Sequence, residues 1–158
     1  MTSRTQVISE LIDTDLKALI NLTKKTIKIM EKQKSGTIIN FASSAGKHAA
    51  PRLLPYSAAK SAIITFTEGI QKEARAKGLG IIAYAICPES VLTNMHYHMT
   101  AQEHGVTAME VEKSLKTDNP IGTPLSKLLV PEEVAEKVVN LLTGRIKIGK
   151  GSCLNIRK

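Results

Sequence analysis

The chain has 158 residues, 42% of them hydrophobic and only 3% aromatic, with 22 Lys and Arg against 14 Asp and Glu for a net charge of +8. That length suits one globular unit burying roughly 68–70% of its unfolded surface, and no apolar run approaches the roughly 20 residues of a bilayer-spanning helix, so no membrane partner is expected. The start, Met1 to Gln6, lacks the apolar stretch of a secretory signal, which points to the cytoplasm, and the scattered basic residues have no aromatic stacking platform, which argues against a nucleic-acid partner.

In chain order, Leu16, Leu19, Ile20, Ile27 and Met30 recur at helical spacing and predict a long first helix from Val7 or Leu11 to Gln33. Ser35 and Gly36 end it. The run from Gly36 to Ala42 reads as a strand that delivers Ser43 and Ser44 at its end and passes through a small-residue loop to Pro55. A second helix is expected from Tyr56 to Lys77, carried by Ala59, Ala62, Ile63, Phe66 and Ile70 and stopped at Gly78. The next apolar run, Ile81 to Cys87, is closed by Pro88. Strand, helix and strand with nearly continuous apolar strands make a parallel crossover unit of an α/β fold. Ligands of such sheets gather at the carboxyl ends of the strands, where Ser43 and the segment after Pro88 fall.

Residues 93–130 read as less regular, with Pro120, Gly122 and Pro124. Pro131 then opens a third helix with Glu132 and Glu133 behind it, both favourable in a first turn, and Gly144 closes it. A short strand from Gly151 to Ile156 is expected at the sheet edge. The whole divides as a core over 1–92, a lid-like segment over 93–130 and a final helix and strand over 131–158, within a single partial domain. Cys87 and Cys153 fall in strand-like runs and read as small buried hydrophobes, with no disulfide expected. His96, His98 and His104 lack an accompanying carboxylate or Cys cluster, so they read as polar lid residues and no metal is expected.

Chemistry enters with Tyr56 and Lys60. Four residues apart on a helix, they share one face. A phenol has a reference pKa of about 10, so its use near pH 7 requires roughly 4 kcal/mol of differential stabilisation of the phenolate. A neighbouring ammonium has the sign of field that supplies it. Asn40, just upstream of Ser43, reads as a structural hydrogen-bonder.

Ile39 and Asn40 with Ser43 and Gly46, then Tyr56 and Lys60, then Pro88 with Val91 and Thr93, then Pro124 to Leu128 and Pro131 to Ala135 follow one another in a recognisable order. Over most of residues 11–156 the chain resembles the later part of the short-chain dehydrogenase/reductase family. The resemblance implies a Rossmann-like doubly wound parallel sheet, incomplete at its N-terminal side. It also implies an oxidoreductase that moves a hydride between NAD or NADP, with a slight preference for NADP, and a small carbonyl or alcohol substrate. By the same resemblance Tyr56 would exchange a proton with the substrate oxygen, Lys60 would favour the phenolate and hold the nicotinamide ribose, and Ser43 would orient the carbonyl. Tyr56, Lys60, Pro88, Val91 and Thr93 would line the cofactor, with Val91 and Thr93 at the carboxamide. Residues 93–130 would be a mobile substrate lid, and the two long helices would join subunits into a homo-oligomer.

The sequence departs from that pattern in four places. The family's opening G-x-x-x-G-x-G turn, which holds the cofactor pyrophosphate, does not occur. Gly78-Leu79-Gly80 sits between a helix and a strand, the wrong order for a phosphate loop, and reads as a helix stop. The Asn-Asn-Ala-Gly element is absent as well, so about three crossover units, about 90 residues, stand outside this chain. Asp15 occupies the place of an Asn that completes a proton relay, where its charge would pair with Lys60, and Glu89 replaces a Gly after Pro88, where its carboxylate would repel cofactor phosphates. Two functions therefore compete: an oxidoreductase that is truncated and inactive as an isolated chain, and a non-catalytic relative that binds full-length homologues through its two long helices.

Overall fold

A computed structural model describes residues 2–117, 120–148 and 152–158. The chain forms two compact units, Met1–Cys87 with Ile148–Asn155 and Pro88–Lys147 with Ile156–Lys158. Three strands, β1 (Gly36–Phe41), β2 (Ile81–Pro88) and β3 (Cys153–Ile156), make one sheet in the order β1-β2-β3. β1 and β2 are parallel, with Gly36 opposite Ile81 and Phe41 opposite Ile86. Ala85 N–H donates to the Ser152 carbonyl and Glu89 N–H to that of Ile156, so β3 runs with β2.

In the first unit, α1 (Thr2–Leu11), a π-helical turn (Ile12–Lys17) and α2 (Ala18–Gln33) follow without a break, and α3 (Leu54–Ala76) is the crossover helix. One face of the sheet carries Ile38, Ile81 and Ala83 packed with Ile70 and Ala74 of α3 and with Ile27 and Met30 of α2. Farther along the same face, Ala42, Ala85 and Cys87 meet Ile63 and Ile64 of α3, with Leu16, Leu19 and Cys153 at the margin. Each such Ile contributes roughly 1.5–3 kcal/mol by leaving water, which pins α3 over the sheet. On the other face Phe41 and Ile82 remain 50% and 43% exposed. Gly80, at φ +66°, lets the entry to β2 cross the exit from α2, because a Cβ there would overlap the Lys34 carbonyl oxygen.

The second unit holds α4 (Asn94–His104), α5 (Ala108–Ser114) and α6 (Pro131–Leu142), with a one-residue parallel bridge between Val91 and Leu129. Residues 93–130 are thus more regular than their Pro and Gly content suggested. The reason is capping: Thr93 caps α4, and Thr107 with Glu110 forms a reciprocal capping box at the start of α5. Pro131 opens α6, where the Val130 N–H donates to the Glu133 carboxylate at 2.8 Å.

Other boundaries also shift. The first helix begins at Thr2 rather than Val7 or Leu11. The final strand begins at Cys153; Gly151, its expected start, lies outside the described residues. Among the described residues no helix is long and apolar enough to cross a membrane.

Candidate active site

β1 ends at Phe41 and delivers Ser43 in an extended conformation at the start of a 3-10 turn, Ser44–Gly46. The Ser43 hydroxyl oxygen accepts the Ala45 N–H at 3.2 Å. That bond uses a lone pair and leaves the hydroxyl proton free to donate. The turn then lies directly on α3: a Cβ at Gly46 would stand 2.6 Å from the Lys60 carbonyl carbon. Only glycine permits that approach, and it brings the Ser43 turn to the stretch of α3 that carries Lys60. The Ser57 hydroxyl accepts the Ala50 N–H at 3.1 Å and ties the intervening loop to the same helix.

Lys60 is the centre of the arrangement. Its Nζ lies 3.1 Å from Asp15 Oδ2, 3.5 Å from the Phe41 carbonyl oxygen and 5.4 Å from the Tyr56 ring centroid. An ammonium has three donors. Asp15 and Phe41 engage two, so one is left. The Tyr56 hydroxyl makes no hydrogen bond among the described residues. Asp15 comes to Lys60 from the π-helical turn, a geometry that recurs at functional sites because one extra residue re-aims the side chains on either side. Tyr56, Lys60 and Asp15 are therefore together, and Ser43 sits two residues beyond the carbonyl that Lys60 touches.

Asn40 belongs elsewhere. Its amide donates to the Thr67 hydroxyl at 2.9 Å, and Thr67 donates to the Ile63 carbonyl at 2.7 Å, all of it buried. In the second unit, Pro88 is the last residue of β2, Val91 pairs with Leu129, and the Thr93 hydroxyl accepts the His96 N–H at 3.4 Å. Glu89 pairs with Arg157 at 3.3 Å, so its carboxylate faces a cation. His96 Nε2 is buried without a partner among the described residues, and burial pushes its pKa down. Among the described residues no three His, Cys, Asp or Glu side chains gather as a metal site.

A cavity of about 510 Å³ opens at the amino end of β2 beside Gln71, Arg75, Ile82 and Tyr84, and neither Tyr56 nor Lys60 lines it. What sequence reasoning missed is a thiol pair: Cys87 Sγ and Cys153 Sγ are 2.7 Å apart. Only the β2–β3 register brings them together, and nothing in the spacing of two cysteines 66 residues apart announces it.

Residues 2–104, most of the chain and all of the Ser43–Tyr56–Lys60 stretch, match the short chain dehydrogenase family. The chain belongs to that family.

Among curated short-chain dehydrogenase relatives, a 3-oxoacyl-(acyl-carrier-protein) reductase of Chlamydia muridarum is 28% identical over 94% of this chain and 54% of its own length. An acetoacetyl-CoA reductase of Acinetobacter sp. is 32% identical over 94% of this chain and 54% of its own length. Among solved structures, actinorhodin polyketide ketoreductase with NADPH superposes with a TM-score of 0.71 at 28% identity, covering 96% of this chain and 57% of that one. ElxO with NADP bound gives 0.73 at 23% identity over 98% and 58%. The α/β architecture is thus that of a Rossmann-like dehydrogenase, and NAD(P) is the family's cofactor. The chain spans a little over half the length of the relatives it matches.

Proposed function

We propose that this chain carries the carbonyl-activating half of an NAD(P)-dependent oxidoreductase that interconverts a ketone and an alcohol. The observation that carries the reading is the hydrogen-bonding capacity around Lys60 left unfilled among the described residues: one free donor on its ammonium, a free phenol on Tyr56 and a free hydroxyl proton on Ser43, near the carboxyl end of β1. That donor set fits a ribose diol beside a carbonyl oxygen. When bound, the nicotinamide supplies the hydride. Tyr56 gives its phenolic proton to the carbonyl oxygen as negative charge develops there. Lys60 favours the resulting phenolate and holds the ribose hydroxyls with its third donor. Ser43 donates to the same carbonyl oxygen and fixes its direction.

By the family resemblance, Pro88, Val91 and Thr93 are assigned to the cofactor, the last two to its carboxamide, and residues 93–130 to the substrate. Relatives named for 3-oxoacyl and acetoacetyl thioesters make a 3-oxoacyl thioester the substrate of first choice, with NADP slightly preferred. The cofactor pyrophosphate is held by residues outside these 158, so the isolated chain does not retain a dinucleotide. The free edge of β1 and the exposed Phe41 and Ile82 support that reading, since both are surfaces a larger sheet and its helices cover.

Leu22 and Ile29, seven residues apart on α2 and 68% and 59% exposed, support association of copies or homologues through the long helices. The same surface favours the second reading, a non-catalytic binding partner of full-length relatives.

Fluorescence titration of the 158-residue chain with NADPH and NADH is expected to give no saturation in the micromolar range. Joining the front half of the Acinetobacter acetoacetyl-CoA reductase ahead of this chain is expected to restore NADPH oxidation with acetoacetyl-CoA. A folded, NADPH-binding chimera with no turnover on 3-oxoacyl thioesters would leave the binding-partner reading in its place.

A further inference from the structure

Cys87 lies near the end of β2 and Cys153 opens β3, and both pack against the patch formed by Ala42, Ile63 and Ala85. Their sulfurs are 2.7 Å apart, about 0.7 Å from the roughly 2.05 Å of a disulfide bond. Both are free thiols. The pair is asymmetric: Cys87 is fully buried, while Cys153 is half-buried and within reach of solvent.

Charge reinforces the asymmetry. The hydrogen bond from Cys87, helped by the Lys47 ammonium and opposed by burial and by Glu68, lowers the Cys153 pKa to about 7, whereas that same bond and burial push the Cys87 thiol up. Cys153, the more exposed sulfur and the one beside the Lys47 ammonium, is the one an oxidant meets first, with Cys87 buried in contact behind it, the arrangement in which a first oxidation is resolved within the protein. Cys87 also packs against Ala42, the residue before Ser43, so the pair lies close to the turn that carries the Ser43 hydroxyl.

We propose that Cys87 and Cys153 form a peroxide-oxidisable dithiol, with Cys153 attacking and Cys87 resolving. The Cys153 thiolate takes one oxygen from hydrogen peroxide; the S–O bond forms as the O–O bond breaks, and hydroxide leaves to become water. The Cys87 sulfur then attacks the Cys153 sulfenic acid; the S–S bond forms, the S–O bond breaks, and the departing oxygen takes the Cys87 proton to leave as a second water. The two sulfurs lose two electrons and the peroxide gains them. Reversible dithiols of this kind are the form in which disulfides occur in reducing compartments. The inference concerns the first unit alone and stands whether or not the chain turns over a carbonyl.

The test is oxidation of the reduced 158-residue chain with a small excess of hydrogen peroxide, followed by alkylation and peptide mapping without reductant. The expected result is a Cys87–Cys153 linked peptide, an intact mass lower by two hydrogens, and full reversal by dithiothreitol. Cys87→Ser is expected to leave Cys153 as a sulfenic acid that dimedone traps. Lys47→Gln, a change at an exposed residue, is expected to slow oxidation about threefold at pH 7, the lost thiolate fraction being partly offset by greater nucleophilicity. Two unlinked cysteines, oxidising no faster than in the urea-unfolded chain, would overturn the proposal, as would a Lys47→Gln rate equal to that of the unaltered chain.

Discussion

Two polar groupings at the junction of β1 and α3 differ in how completely they are satisfied. Around Asn40 the bonds close on themselves, from amide to Thr67 hydroxyl to Ile63 carbonyl, with Asn40 6% and Thr67 0% exposed. Around Lys60 they stay open, with a donor to spare and a phenol unbonded among the described residues. A buried polar group left unpaired costs about 1–3 kcal/mol, so a fold saturates the groups it uses for structure. Spare capacity is tolerated where water reaches or a ligand completes it. The difference separates scaffold from site: the neutral chain of amide, hydroxyl and carbonyl is closed, and the grouping that contains an ammonium, a carboxylate and a phenol is open.

The largest expected effect comes from removing the open phenol. In the joined enzyme, Tyr56→Phe should lower turnover on acetoacetyl-CoA by roughly 10²–10⁴, with the urea midpoint unchanged because no protein bond is lost. Steady-state kinetics beside urea melts would read both. The closed grouping should behave in the opposite sense. Thr67→Val leaves the Asn40 amide buried without an acceptor and should cost about 1–3 kcal/mol of stability, visible as a lower urea midpoint of the 158-residue chain.

Asp15→Asn probes the boundary between the two kinds. The ion pair with Lys60 is partly exposed, so its loss should cost no more than about 1 kcal/mol of stability while raising turnover of the joined enzyme by up to about fivefold, because the ammonium no longer shares its charge. A fall in turnover would instead make Asp15 a participant. His96 belongs to neither class, being buried at Nε2 with no partner among the described residues. Burial lowers its folded pKa, so its contribution is complete above the unfolded value of about 6.5 and declines as pH falls through and below it, where the unfolded chain takes the proton first. Urea midpoints between pH 7.5 and 5.5 should fall toward acid, and His96→Asn should flatten the decline.

The frame of the first unit was legible in the sequence because a strand buried in a parallel sheet must be apolar almost continuously. Gly36–Phe41 and Ile81–Pro88 announce themselves in that way, and α3 begins and ends within two residues of where Tyr56 and Gly78 place it. The π-helical turn was not legible, because one extra residue in a long helix shifts the apolar stripe by less than its own width. The helices at Asn94–His104 and Ala108–Ser114 carry start signals in Thr93 and Thr107-x-x-Glu110, but they are short and the Pro and Gly of residues 120–124 mask them in the composition of the segment. Lys60 meeting Asp15 could be anticipated from opposite charges in the resembling segments. The Ser43 hydroxyl turned toward Ala45, and the thiol contact across β2 and β3, depend on turn geometry and strand register that no local pattern encodes.

The most direct test is a crystal structure of the joined enzyme with NADPH. Lys60 Nζ is expected about 3 Å from the nicotinamide ribose hydroxyls, with the Phe41 carbonyl still within its reach and the Tyr56 hydroxyl facing the open substrate side. A bound nicotinamide whose ribose is held by other residues, with Lys60 committed to Asp15 and Phe41 alone, would contradict the assignment of its third donor.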